Sequence, residues 1–175
     1  MNDLADRLER TIRDVPDFPQ PGVVFKDITP VLADPELMED VVQAFAVRFR
    51  DAGVDAVVGM ESRGFLFGAP LALALRCAFV PARKPGKLPW KTIGHEYALE
   101  YGTNRLELHV DALRPGQRAL VVDDLLATGG TARATCALVR ELGAEVLACC
   151  FVVELGFLGG RKLLEGTLVE SLIRY

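Results

Sequence analysis

Histidine is nearly missing from this chain: 175 residues contain His95 and His109 only. Neither has an acid or a cysteine at ligand spacing, which argues against a zinc site. Cysteine is sparse too. Cys77, Cys136, Cys149 and Cys150 show no C-x-x-C spacing, and the last two lie inside an apolar run. Buried thiols in a reducing compartment are the expectation, with no disulfides and no cysteine-bound metal. The longest apolar run, Val146 to Val153, is far short of a membrane span. The first residues, Met1 to Arg13, are charged and polar and show no signal-peptide pattern. A cytoplasmic protein without a membrane partner follows as the default. Basic surplus is also lacking. Twenty Lys and Arg face 24 Asp and Glu, a net charge of -4. That balance argues against a general nucleic-acid binder.

Half of the residues are hydrophobic. A chain of this size buries about 70% of its unfolded surface, so one folded domain over residues 1–175 is expected. The charge is unevenly spread. Between Ser62 and His95 stand Arg63, Arg76, Arg83, Lys84, Lys87 and Lys91 with no acid, a +6 segment in a chain that carries -10 elsewhere. A basic island in an acidic protein suits a small polyanion, and equally a solvated face.

The periodicity alternates between helix and strand. Leu4, Leu8 and Ile12 predict an amphipathic helix over 2–14. Four prolines within 15–30 predict an ordered loop. Asp34-Pro35 reads as an N-cap followed by proline at the first helical position, opening a helix that Gly53 stops. Strands are expected at 54–60, around 79–80, at 119–122, 146–153 and 169–173. Helices are expected from Gly64 to about Arg76, at 131–142 and near 161–164. Residues 97–101 and 106–110 read as extended pieces around a turn. Residues 84–95 read as a long basic loop. The alternation implies an α/β fold with a twisted, mainly parallel sheet flanked by helices. Ligands bind such sheets beyond the carboxyl ends of the strands.

The most informative stretch is Val121-Val122-Asp123-Asp124-Leu125-Leu126-Ala127-Thr128-Gly129-Gly130-Thr131. A hydrophobic strand meets two acids, then small residues and glycines open a helix. A helix start exposes unpaired N–H groups and the positive end of its dipole. Glycines let the backbone approach an anion, and Thr128 and Thr131 add hydroxyls. No lysine follows the glycines, and no G-x-G-x-x-G is present, which excludes the Walker and dinucleotide readings. Two acids beside a phosphate make sense when they accept hydrogen bonds from another part of the same ligand. A ribose 5-phosphate fits: hydroxyls over Asp123 and Asp124, phosphate over the helix start.

This stretch resembles the phosphoribosyl-diphosphate motif of the type I phosphoribosyltransferases. Residues 18–30, from Phe18 to Pro30, resemble the adenine phosphoribosyltransferase branch of that family. So do Glu61-Ser62-Arg63-Gly64-Phe65-Leu66-Phe67-Gly68, Arg83-Lys84-Pro85-Gly86-Lys87-Leu88-Pro89 and Glu100-Tyr101-Gly102. The tip at Trp90-Lys91-Thr92 departs from the pattern. The resemblance implies a small N-terminal hood, mainly residues 15–33, over a base. It implies transfer of the phosphoribosyl group from 5-phosphoribosyl 1-diphosphate to adenine, giving AMP and diphosphate, with Mg²⁺ held mainly by the substrate. It carries Ala127, Thr128, Gly129, Gly130 and Thr131 to the 5-phosphate, and Asp123 and Asp124 to the ribose. Arg63, Arg83, Lys84 and Lys87 go to the diphosphate, and Val24, Phe25, Lys26 and Leu125 to adenine. Glu100 becomes the acid/base and Tyr101 a closing residue. A cis Glu61–Ser62 peptide and a homodimer are further expectations.

Another purine base, or a sensor of phosphoribosyl diphosphate without catalysis, are the alternatives. A sensor of that kind needs a DNA-reading domain, for which the residues before the first sheet leave little room. Ser62 lacks a nucleophile-elbow context, so a hydrolase is rejected.

Overall fold

The computed structural model describes residues 2–98 and 103–175. Five parallel strands form the central sheet. They are β3 (Ala56–Met60), β4 (Ala78–Ala82), β7 (Arg118–Leu126), β8 (Glu145–Glu154) and β9 (Leu168–Arg174), in the order β4-β3-β7-β8-β9. Helices cover both faces: α1 (Asn2–Thr11), α3 (Pro35–Phe49) and α4 (Gly64–Leu75) on one, α5 (Gly130–Glu141) on the other. A parallel sheet needs this double cover, because its crossovers place helices on its faces.

The apolar residues sort themselves by strand alternation. Val58, Val121 and Cys149 belong to the core under α5, while Val57, Leu120 and Cys150 belong to the core under α1, α3 and α4. The two adjacent cysteines therefore face opposite layers. All four cysteines are free. Asp34 caps α3, its carboxylate accepting from the Leu37 amide at 3.0 Å, with Pro35 at the first helical position. Among the described residues no helix is long and apolar enough to cross a membrane.

Two stretches differ from expectation. The 15–30 loop is a two-stranded antiparallel ribbon, β1 (Arg13–Pro16) and β2 (Val24–Asp27), followed by a short helix α2 (Thr29–Leu32). Its strands are four residues each, too short for an alternating pattern to declare itself, and β1 takes Arg13 and Asp14 from the expected end of α1. The 84–95 loop is shorter than expected. Its last four residues open β5 (Thr92–Ala98), which pairs with β6 (Thr103–His109) in an antiparallel hairpin packed on α5. Gly94 and charged neighbours had disguised that strand. Glu100 and Tyr101 lie outside the described residues.

Candidate active site

The site forms where β3, β4 and β7 end and the next elements begin, along the carboxyl edge of the sheet. Strand β7 runs on to Leu126, so Asp123 and Asp124 sit within its last turn of pleat instead of beyond it. Strand alternation separates their side chains, yet at the strand's end both line one cavity. Asp124 is buried, with 2% of its surface exposed, and its Oδ2 accepts from Arg63 Nε at 2.5 Å. Asp123 takes the amide of Asp124 on its Oδ1 at 2.9 Å. Burial, and then the neighbouring Asp124 charge, push the Asp123 carboxyl well above its usual range.

After β7 the chain turns through Ala127 and Thr128 to Gly129, whose φ of +85° suits glycine and which caps α5 without a side chain. The turn surrounds a cavity of about 70 Å³, walled by residues 125–132 together with Asp123 and floored by Met60 and Phe151. It is the size of one phosphate group, and the first amides of α5 begin beside it. A second backbone closes the turn from outside: a Cβ on Gly160 would lie 2.1 Å from the Ala127 carbonyl oxygen, and one on Gly129 2.4 Å from that of Gly160. Nothing in the sequence reading assigned Gly160 a role. Its tandem with Gly159, mirroring Gly129-Gly130, was the available signal.

Next to it lies a cavity of about 240 Å³ lined by Glu61, Ser62, Arg63, Lys84, Asp123 and Asp124. The Glu61–Ser62 peptide is cis. Glu61 organises the cationic side. Its Oε2 accepts from the Lys84 amide at 2.9 Å and from Arg83 Nε at 3.2 Å. Burial alone would raise this carboxyl, yet these two hydrogen bonds and the adjoining charges hold it below its ordinary value. Arg83 also donates to the Lys87 carbonyl at 3.1 Å, bracing the turn. Lys87 itself stands on that exposed turn, away from the cavity lining. Glu61 was quoted in the sequence motif without a role. Its function as a tether is legible only in three dimensions, because Lys84 is 23 residues away.

The ribbon contributes the remaining candidates. Phe25 stacks edge-on against Phe18, ring centroids 5.2 Å apart, and its face lies 5.6 Å from the Arg63 guanidinium carbon. Val24 and Lys26 line an apolar groove of about 700 Å³ with Thr128, Leu155, Phe157 and Tyr175. The Lys26 ammonium is held within that lining, on Asp14 at 2.5 Å and over the Tyr175 ring at 3.6 Å. Along an antiparallel strand Val24 and Lys26 present their backbone N–H and C=O to the same edge. Leu125 lines the phosphate-sized cavity instead of this groove. The groove and that cavity meet at Thr128.

A parallel sheet with a glycine-rich anion turn, an acid pair and a guanidinium beside it defines a protein that takes a phosphorylated sugar. Residues 28–162 match the family model for the phosphoribosyl transferase domain, and the chain belongs to that family. Its relatives narrow the class. It is 58% identical over 175 residues to an adenine phosphoribosyltransferase of Anaeromyxobacter sp. (strain Fw109-5), covering 100% of this chain and 99% of that one. The crystal structure of the adenine phosphoribosyltransferase of Rhodothermus marinus superposes with a TM-score of 0.95 at 48% identity, covering both chains in full. That of Saccharomyces cerevisiae, solved with an imino-altritol bisphosphate and adenine, gives 0.94 at 40% identity, covering 98% of this chain and 99% of that one.

Proposed function

We propose that this chain transfers the phosphoribosyl group of 5-phosphoribosyl 1-diphosphate to adenine, giving AMP and diphosphate, a purine-salvage reaction. The observation that carries the reading is the meeting of three sub-sites along one sheet edge. A phosphate-sized glycine cavity, an acid pair and a cation-rimmed cavity share Asp123. The full-length similarity to adenine phosphoribosyltransferases supports the choice of base.

The turn from Ala127 to Thr131 holds the 5-phosphate with amides and hydroxyls. Asp123 and Asp124 accept from the ribose hydroxyls, and their charge favours the positive character that builds on the sugar as the diphosphate leaves. Arg63 and Lys84 face that diphosphate. Arg83 keeps Lys84 in place through Glu61. Phe25 covers one face of the base and Leu125 approaches the other from the phosphate-sized cavity, which meets the groove at Thr128, while the Val24–Lys26 edge reads the polar rim. Glu100 handles the proton of the imidazole ring, and Tyr101 closes over the site.

Mg²⁺ fits the donor set. The acids that line the larger cavity are oxygen donors, but Glu61 and Asp124 are already paired with Arg83 and Arg63. Substrate oxygens and water would therefore hold most of the ion, with Asp123 facing it. When bound, it neutralises charge on the departing diphosphate. We place the enzyme in the cytoplasm, supported by its four free cysteines, and expect a homodimer, supported by the exposed Leu66 and Leu73 on α4.

The test is diphosphate release with Mg²⁺, phosphoribosyl diphosphate and adenine, hypoxanthine or guanine offered singly. Release with adenine alone supports the reading. Release with hypoxanthine or guanine but not adenine overturns the base assignment, and no release with any of them overturns the reaction.

A further inference from the structure

The hydroxyls of Tyr97 and Thr131 meet at 3.2 Å. They come from different elements with different tasks. Thr131 is the second residue of α5 and lines the phosphate-sized cavity. Tyr97 belongs to β5, buried with 6% of its surface exposed, and packs in the same core as Ala132 of α5. Glu100, the acid/base of the proposed reaction, follows three residues later on the same chain segment. A ring held this firmly cannot swing its hydroxyl elsewhere, and a buried phenol needs a partner.

Each hydroxyl has one proton to give and can accept in return. An anion in the cavity claims the Thr131 proton. The 3.2 Å contact then survives only with Tyr97 as donor, so the chain becomes Tyr97 Oη–H to Thr131 Oγ1–H to phosphate oxygen, each link polarising the next. We propose that Tyr97 is a positioning residue for the phosphoribosyl substrate: it aims the Thr131 proton at the 5-phosphate and ties the β5–β6 hairpin to the filled cavity. This rests on the phosphoribosyl-transfer reading. Tyr97 touches no substrate and acts only through Thr131.

Tyr97→Phe keeps the ring and removes the donor. The experiment measures ribose 5-phosphate binding by calorimetry, which needs no catalysis, together with kcat and KM on the full chain. Loss of one neutral hydrogen bond in the chain should weaken ribose 5-phosphate about 3- to 10-fold and raise KM for phosphoribosyl diphosphate by a similar factor. KM for adenine stays unchanged and kcat stays within about threefold. In a Thr131→Val background, Tyr97→Phe should add nothing, whereas in Thr131→Ser it should cost its full factor. Wild-type affinity in Tyr97→Phe, or an equal loss with Thr131→Val already present, overturns the proposal. A wild-type chain that binds ribose 5-phosphate yet releases no diphosphate with any base counts against the reaction and leaves the binding result standing.

Discussion

Arg63 Nε donates to Asp124 Oδ2 at 2.5 Å, joining the loop after β3 to the end of β7 across 61 residues. Asp124 is buried and Arg63 about half exposed, so the pair is anchored at one end and open to ligand at the other. One contact thus serves two ends: it neutralises a buried acid, and it aims a guanidinium into the cavity where the diphosphate is placed.

Removing the acid should uncouple these roles. Asp124→Ala leaves Arg63 without its anchor and the ribose without an acceptor. Diphosphate release should fall by about 100-fold or more, equivalent to roughly 3 kcal/mol of lost transition-state stabilisation. Far-ultraviolet circular dichroism should remain that of the parent. Steady-state kinetics beside the spectrum checks this, and near-normal turnover would take Asp124 out of the site.

Asp123 makes the opposite kind of prediction. Its carboxyl is held above the usual range by burial and by Asp124. A carboxyl whose folded pKa lies above its unfolded one favours the folded state fully only below the unfolded value, and that stability is lost as pH rises through the folded value. Asp123→Asn removes the penalty and keeps an oxygen for the Asp124 amide. At pH 7 it should raise Tm by about 2–4 °C, corresponding to ~1 kcal/mol in a chain of this size, while activity drops. The gain should vanish in acid. Calorimetric scans at pH 4 and pH 7 decide it, and a lower Tm at pH 7 would contradict the account.

Glycine contacts around the phosphate cavity predict a loss of binding. A methyl at Gly160 would press 2.1 Å from the Ala127 carbonyl oxygen, backbone that has nowhere to go. Gly160→Ala should displace the turn and raise KM for phosphoribosyl diphosphate about tenfold or more, with KM for adenine much less affected. Gly116→Ala is the comparison, since its Cβ would meet nothing within 4 Å but its φ is +84°, so it reports backbone strain without crowding. Kinetics that matched in the two variants would rule out the steric explanation.

The carboxyl end of β8, next to the end of β7, should govern acid stability. Glu154, buried at the end of β8, accepts from Arg161 and from the Ser171 hydroxyl at 2.8 Å, with Arg174 at 3.6 Å. The Arg161 hydrogen bond, against the cost of burial, holds its carboxyl below the ordinary value. A depressed carboxyl contributes stability that is present above the unfolded pKa of about 4.3 and is lost as pH falls through the folded value. Glu154→Gln should cost about 2 kcal/mol at pH 7 and less as pH falls below about 4. Urea titrations across that range measure it.

The central architecture and the phosphate turn were legible because their signals are local. Strand, acids, glycines and helix follow one another from Val121 to Thr131, and the capping of α3 is written in Asp34-Pro35. The ribbon was illegible because Pro16, Pro19 and Pro21 outweigh two four-residue strands that pair only with each other. The start of β5 was hidden by Gly94 among charged residues. Among the candidates, Arg63, Lys84, Asp123 and Asp124 line one cavity. Lys87 is not part of that lining, and the Lys26 ammonium pairs with Asp14. Glu61, Tyr97 and Gly160 were passed over because each acts through a partner distant in the chain, and one sequence read alone carries no record of such pairings.

The most direct measurement offers the chain equimolar adenine, hypoxanthine and guanine with Mg²⁺ and limiting phosphoribosyl diphosphate, and identifies the nucleotide formed by mass. AMP is the expected product, with diphosphate in equal amount. IMP or GMP as the main product, or diphosphate released without any nucleotide, would contradict the proposed function.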